Sequence, residues 1–316
     1  MDLIAERRII LMTGTPLTTP GDSYAYCTFT NRDAYLSRSF FEATHVAERD
    51  IFNNVTKYKN EDDLNANFML NSGRVFRRDV DNNLPDVVYI PLRYELEKSH
   101  KKAYDELAEN ALLQLEDNTI SADTIQKLHI MLQQIIVGYE FMSPEGDLRK
   151  TLRKKVKAFE LIEQTMAELG DRKLIIYAYY QNSIRALKEF CSQWKAVEIY
   201  GAMTAAQRTK NLDTFLNDPS CQILIGQPIS MGSGLDSLKT VCSDILFIEL
   251  PMIAKDFIQA VGRIDRNGQK EVCRVRVASA KGTLQVRRQE SLLAKDSEAN
   301  KIQLTYKDLR DWIFGS

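Results

Sequence analysis

The chain has almost no net charge. Its 42 Lys and Arg face 43 Asp and Glu, leaving a formal -1 over 316 residues. Bulk attraction to a polyanion is therefore excluded, and any contact with nucleic acid must come from a local patch. Histidine is scarce: His45, His100 and His129 are three scattered residues. The five cysteines, Cys27, Cys191, Cys221, Cys242 and Cys273, form no CxxC pair. These absences argue against a metal site and for buried free thiols in a reducing, intracellular compartment. No apolar run is long enough to span a bilayer and no secretory signal opens the chain, so no membrane partner is expected. Internal repeats and low-complexity linkers are missing too. There is no GxxxxGK[ST] loop and no DExH or DEAD box. A P-loop ATPase needs that lysine, hydroxyl and carboxylate to position phosphates and magnesium. An unrelated Rossmann-like enzyme is disfavoured as well, because no GxGxxG loop follows the first apolar strand.

What remains is a chain with 44% hydrophobic and 27% charged residues, the balance of a soluble globular protein. Its length allows one large or two ordinary domains. Arg8–Met12 is a short apolar run before Thr13-Gly14-Thr15-Pro16 and reads as a buried parallel strand. Residues 22–70 show helical spacing broken by polar loops. Val87–Leu92 reads as a strand, followed by helices over 95–114 and 125–137. From about Leu148 strands and helices alternate. Strands are expected at 173–178, 197–199, 222–226, 244–250 and 272–277. Helices are expected at 156–169, 183–194, 205–217 and 254–261. Such alternation predicts a parallel sheet with helices on both faces, with functional groups at the carboxyl ends of its strands.

The most informative stretch is Gln259–Gln269, QAVGRIDRNGQ. Its spacing places Gln259, Arg263 and Arg266 so that all three can approach one helical face. Arginines held beside a triphosphate stabilise the charge that develops on a transferred phosphoryl group. Gly232 and Gly234 in Met231–Asp236 permit tight turns whose amides can meet phosphate oxygens. Arg149, Lys150, Arg153, Lys154, Lys155 and Lys157 form a local basic run that could follow a DNA backbone. Each feature also has a plain reading: a solvated helix face, an ordinary strand-to-helix turn, a surface charge run. Tyr177, Tyr179 and Tyr180 suit core packing or lobe contact better than base stacking.

Taken in order, these segments resemble the Swi/Snf family of superfamily-2 helicase-like proteins. Thr13–Pro16 is similar to motif III, and Phe76-Arg77-Arg78 with Leu84-Pro85 resembles the linker between the two lobes. Leu174–Tyr177 looks like motif IV. Tyr200-Gly201, Arg208 and Phe215 resemble the segment after it. Met231–Asp236 resembles motif V, with Asp236 where the family has Asn. Gln259, Gly262, Arg263, Arg266, Gly268 and Gln269 match motif VI. Thr18 and Thr19 depart from the family beside motif III.

The resemblance implies an α/β chain: a RecA-like helicase second lobe, preceded by an incomplete end of the first lobe and a helical insertion. The implied boundaries are 1–85 for the first-lobe remnant and linker, 86–150 for the start of the second lobe with its protrusion, and 151–316 for the rest. The parent enzyme would be an ATP-dependent translocase on double-stranded DNA, using ATP and Mg2+. Arg263 and Arg266 would be its arginine fingers. Gly232, Gly234, Asp236 and Gln259 would face the nucleotide. Gly201, Arg208, Ser230, Arg77 and Arg78 would face DNA, while Thr13, Gly14 and Thr15 would couple the lobes. The family's Walker A and DExH motifs precede motif III, so this chain is expected to start just before motif III and to need an N-terminal ATPase lobe as partner. Alone it is expected to hydrolyse ATP poorly. A stand-alone DNA- or protein-binding module that complements or regulates a separate lobe is the alternative. A cytoplasmic setting in a bacterial or phage-infected cell, or a nuclear one in a eukaryote, follows from the same resemblance.

Overall fold

A computed structural model describes residues 10–12, 17, 19–49, 55–73, 84–116, 122–137, 156–228, 236–251 and 254–293. They fall into two compact units, one before and one after residue 80.

In the first unit three short helices surround an aromatic cluster. They are α1 (Ser23–Thr30), α2 (Arg38–His45) and α3 (Glu61–Met69), and between the last two lies an antiparallel hairpin of β1 (Val46–Arg49) and β2 (Val55–Tyr58). Ser37 starts α2 by accepting the Phe40 amide on its hydroxyl, at 3.1 Å. Cys27, Tyr35, Phe41 and Leu64 form the buried centre. His45 is buried with them. Its Nδ1 donates to the Lys59 carbonyl at 3.3 Å, so its Nε2 accepts from the Tyr35 hydroxyl at 2.8 Å. The expected strand at Arg8–Met12 is not seen: Ile10, Leu11 and Met12 lie outside any strand, and the rest of that run is outside the described residues. The hairpin was not expected, because VAER and VTKY are half polar and only four residues each.

The second unit is built on six parallel strands in the order β3-β8-β7-β4-β6-β5. These are β3 (Val87–Tyr94), β4 (Leu174–Tyr177), β5 (Val197–Ile199), β6 (Ile223–Gly226), β7 (Asp244–Phe247) and β8 (Cys273–Ala280). The central runs LIIY, ILIG and DILF are buried at every position, as strands covered on both faces must be. One face is covered by α4 (Lys98–Glu116), α5 (Ala122–Ile136), α6 (Lys157–Leu169), α7 (Gln181–Phe190) and the start of α10 (Leu284–Leu293). On this side Tyr104 of α4 accepts the Leu284 amide at 2.9 Å, joining the helical insertion to α10. The other face is covered by α8 (Ala205–Asn217) and α9 (Ala254–Val261), through Phe215, Phe257, Ala260 and Val261. Thr204 and Gln207 close a capping box at the start of α8. The helix expected to reach Trp194 ends at Phe190 and continues as a 3-10 turn over Cys191–Trp194.

At the amino end of the sheet Asp244 is fully buried. It accepts from Arg276 at 2.8 Å and from Arg172 at 2.9 Å, and Arg276 reaches on to Glu168 at 2.9 Å. Strands β7 and β8 are thus joined by charge below their apolar centre.

Candidate functional site

Helix α9 ends at Val261, so the turn that follows carries Arg263 and Arg266. Gln259 stays on the helix, exposed. The expectation that all three share one helical face is therefore corrected. Gly262 ends the helix: its amide bonds Ile258, and the Arg263 amide already bonds Ala260 in a three-residue turn at 3.2 Å. Both arginines are half-buried, and Arg263 Nε is buried without a hydrogen-bond partner among the described residues.

The end of this turn is tightly built. Gln269 is buried, and its Nε2 donates to Cys242 O at 3.1 Å and to Ile264 O at 3.3 Å. Its Oε1 accepts the amides of Lys270 and Glu271. Gly268 sits at φ +94, a conformation that disfavours any residue with a Cβ. A 3-10 turn over Asp236–Thr240 lies alongside, because Lys239 Nζ donates to Asn267 O at 2.5 Å. The structure therefore brings the 3-10 turn that follows the Met231–Asp236 motif together with the arginine-bearing turn. Cys242 precedes β7, so this turn closes at the amino end of that strand. The turn that carries both arginines thus lies away from the carboxyl ends, where functional groups are expected, because α9 runs back across the sheet before it begins.

The carboxyl edge holds the other group. Gly201 follows β5, and its amide donates to Gln227 Oε1 at 3.0 Å. Gln227 Nε2 donates in turn to Tyr179 O at 2.5 Å, linking the chain ends after β4, β5 and β6. Arg208 is half-buried at the start of α8, with Nε donating to Met203 O at 3.2 Å. Among the remaining expected site residues, Thr13, Gly14, Thr15, Arg77, Arg78, Ser230, Gly232 and Gly234 lie outside the described residues, and Asp236 is described by its backbone alone.

Sequence reasoning missed Glu249, which sits fully buried just beyond β7. It accepts the Tyr179 amide at 2.5 Å, the Tyr180 amide at 3.0 Å and the Ser183 hydroxyl, and so secures the start of α7. The available signal was one acidic residue inside the apolar run DILFIEL. Burial raises its carboxyl from an ordinary 4.5 to about 7, with the three hydrogen bonds opposing the shift. The same burial raises the phenols of Tyr94, Tyr179 and Tyr180 that face it.

Between about 4.5 and about 7 the folded protein keeps this proton while the unfolded chain has lost it. Stability from this group therefore falls as pH rises through that window, by about 3 kcal/mol in all. Glu249→Gln is expected to remove that fall. Urea unfolding at pH 5 and pH 8 should show a wild-type stability loss larger than the variant's by about 2–3 kcal/mol. An equal loss in both proteins would refute the assignment.

Among the described residues, no group of three or more His, Cys, Asp or Glu side chains could hold a metal, and no helix is long and apolar enough to cross a membrane.

The sequence and the fold are similar to those of known proteins. Residues 153–268 match the family model described as helicase conserved C-terminal domain. The chromatin structure-remodeling complex subunit snf21 of Schizosaccharomyces pombe is 22% identical over 237 residues, covering 70% of this chain and 19% of that protein. A DNA repair and recombination protein RAD54-like of Drosophila pseudoobscura pseudoobscura is 25% identical over 182 residues, covering 54% and 23%. The chain thus spans about a fifth of the length of these curated relatives. Among solved structures, the Sulfolobus solfataricus SWI2/SNF2 ATPase core in complex with dsDNA aligns with a TM-score of 0.56 at 20% identity, covering 95% of this chain and 65% of that one. The C-terminal part of the Fun30 ATPase domain aligns with a TM-score of 0.56 at 14% identity, covering 72% and 96%.

Proposed function

We propose that the chain is a member of the Swi/Snf family of superfamily-2 helicase-like proteins, its parallel sheet being their RecA-like second lobe, and that it works as half of an ATP-driven double-stranded DNA translocase. In this reading ATP and Mg2+ are held by an N-terminal lobe carrying the Walker A and DExH motifs. This chain supplies cations to the phosphates. Arg263 and Arg266 act as arginine fingers, with Gln259, Gly232, Gly234 and Asp236 beside them. ATP provides the phosphoryl transfer; this lobe's residues neutralise charge on the transferred group and on the leaving phosphates.

The observation that carries the reading is the bond from Lys239 to the Asn267 carbonyl, which ties the turn following one glycine-containing motif to the arginine-bearing turn. Gly268 and Gln269 hold that turn in one conformation. A guanidinium placed by a locked turn costs little reorganisation when it meets its phosphate.

DNA is assigned to the carboxyl edge. Arg208 lies against the loop after β5, which carries Gly201, and the family resemblance assigns Ser230, Arg77 and Arg78 to DNA as well. Contacts of this kind are indifferent to sequence and weaken with salt. Thr13, Gly14 and Thr15 would relay the state of the nucleotide to this lobe.

The test is ATP hydrolysis by the purified chain, with and without linear duplex DNA, followed by addition of a first lobe bearing the Walker motifs. Negligible turnover alone and DNA-stimulated turnover on complementation are the expected results. DNA-stimulated turnover by the chain alone would overturn the division of labour.

A further inference from the structure

Tyr177 is the last residue of β4 and is fully buried against Phe247, ring centroids 5.0 Å apart. Its backbone carbonyl accepts the Ile248 amide at 3.1 Å, so its main chain is built into the sheet. Its side chain crosses to the helix layer, where the hydroxyl donates to Ala260 O at 3.3 Å. That carbonyl also accepts the amide of Arg263, at 3.2 Å. One oxygen therefore receives both the tyrosine hydroxyl and the backbone of the arginine. Arg263 is also close enough for its charge to act on the phenol, opposing the upward shift that burial causes. Ala260 is the next-to-last residue of α9, so this shared acceptor sits where the helix gives way to the turn.

We propose that Tyr177 is a positioning residue: through the Ala260 carbonyl it sets the direction in which the Arg263 guanidinium leaves α9. The proposal rests on the reading of Arg263 as a phosphate contact. It adds a rigid link between the carboxyl end of β4, on the edge assigned to DNA, and the arginine assigned to ATP. Any displacement of β4 relative to α9 is transmitted to Arg263 through a single hydroxyl.

Two measurements test it. In the isolated chain, Arg263 Nε is buried, so its N–H should exchange slowly with solvent in an NMR experiment, the signal being assigned by its loss in Arg263→Lys. Tyr177→Phe should speed that exchange by about 10-fold or more while leaving the thermal midpoint within a few degrees. Fast exchange already in the wild type, or unchanged exchange in the variant, overturns the proposal. In the chain complemented by a first lobe, Tyr177→Phe should lower kcat for DNA-stimulated ATP hydrolysis by about 10-fold with KM for ATP within about 2-fold, and should cause no further loss in the Arg263→Ala background. A loss of equal factor in both backgrounds overturns positioning through Arg263. A complemented wild type that fails to hydrolyse ATP would defeat the functional reading, and the exchange measurement would then decide the positioning by itself.

Discussion

Arg266→Ala is expected to lower ATP turnover of the complemented enzyme by roughly 10³- to 10⁵-fold, the range an arginine finger supplies. Arg263→Ala should fall in the same range. The structure constrains how these losses combine. The residues are three apart on one turn, whose end is held by Gln269 and Lys239. Groups that act on one transition state are not additive, so the double variant should be little worse than either single one. Neither substitution should unfold the lobe, because both side chains are only half-buried and lie beyond the end of α9. Turnover should be measured at saturating ATP and duplex DNA, with circular dichroism to confirm the fold. Turnover within a few-fold of wild type in either variant would remove that arginine from the reaction.

The architecture of the second unit was legible because parallel strands buried on both faces leave unbroken apolar runs, as in LIIY and ILIG. Helix α9 was legible to the residue, since Phe257, Ala260 and Val261 line one face. The end of α9 was visible too, in Gly262, but the spacing of Arg263 and Arg266 invited a longer helix. What stayed hidden is what sequence separation conceals. Gln269 reads as part of a motif, yet it spans 27 residues to the Cys242 carbonyl. Gln227 reads as a loop residue and joins three strand ends. Helix α10 was not foreseen: five of its ten residues, Arg287, Arg288, Gln289, Glu290 and Ser291, are polar in succession, which breaks the periodic signal. In the structure Gln289 is nevertheless buried, donating to Val277 O at 2.5 Å, and Arg288 Nε donates to Pro251 O at 2.7 Å.

Asp244→Ala is expected to destabilise the second unit by about 3–5 kcal/mol, because it strips a buried guanidinium of its buried partner. Asp244 is wholly inaccessible and the Arg276 side chain is 6% exposed, with 2.8 Å between them. The other carboxylate on Arg276 is Glu168, whose side chain is 64% exposed. Water already screens that pair, so Glu168→Ala should cost no more than about 1 kcal/mol. Arg172 loses the same carboxylate, but it is half-exposed and water can take its place there. The contrast between the two carboxylates is the test, read from urea unfolding of each variant. A further comparison separates charge from shape. Removing both members, as Asp244→Leu with Arg276→Met, should recover most of the lost stability, since a packed apolar pair does not leave an ion without water or partner. Equal losses for Asp244→Ala and Glu168→Ala, or a double variant worse than the single one, would mean that the carboxylate is not what neutralises Arg276. A domain held by a margin of about 5–15 kcal/mol loses about a fifth or more of it through this one substitution. The charged residue inside an apolar strand is therefore a structural requirement of β7 and β8, whatever chemistry the arginine-bearing turn performs.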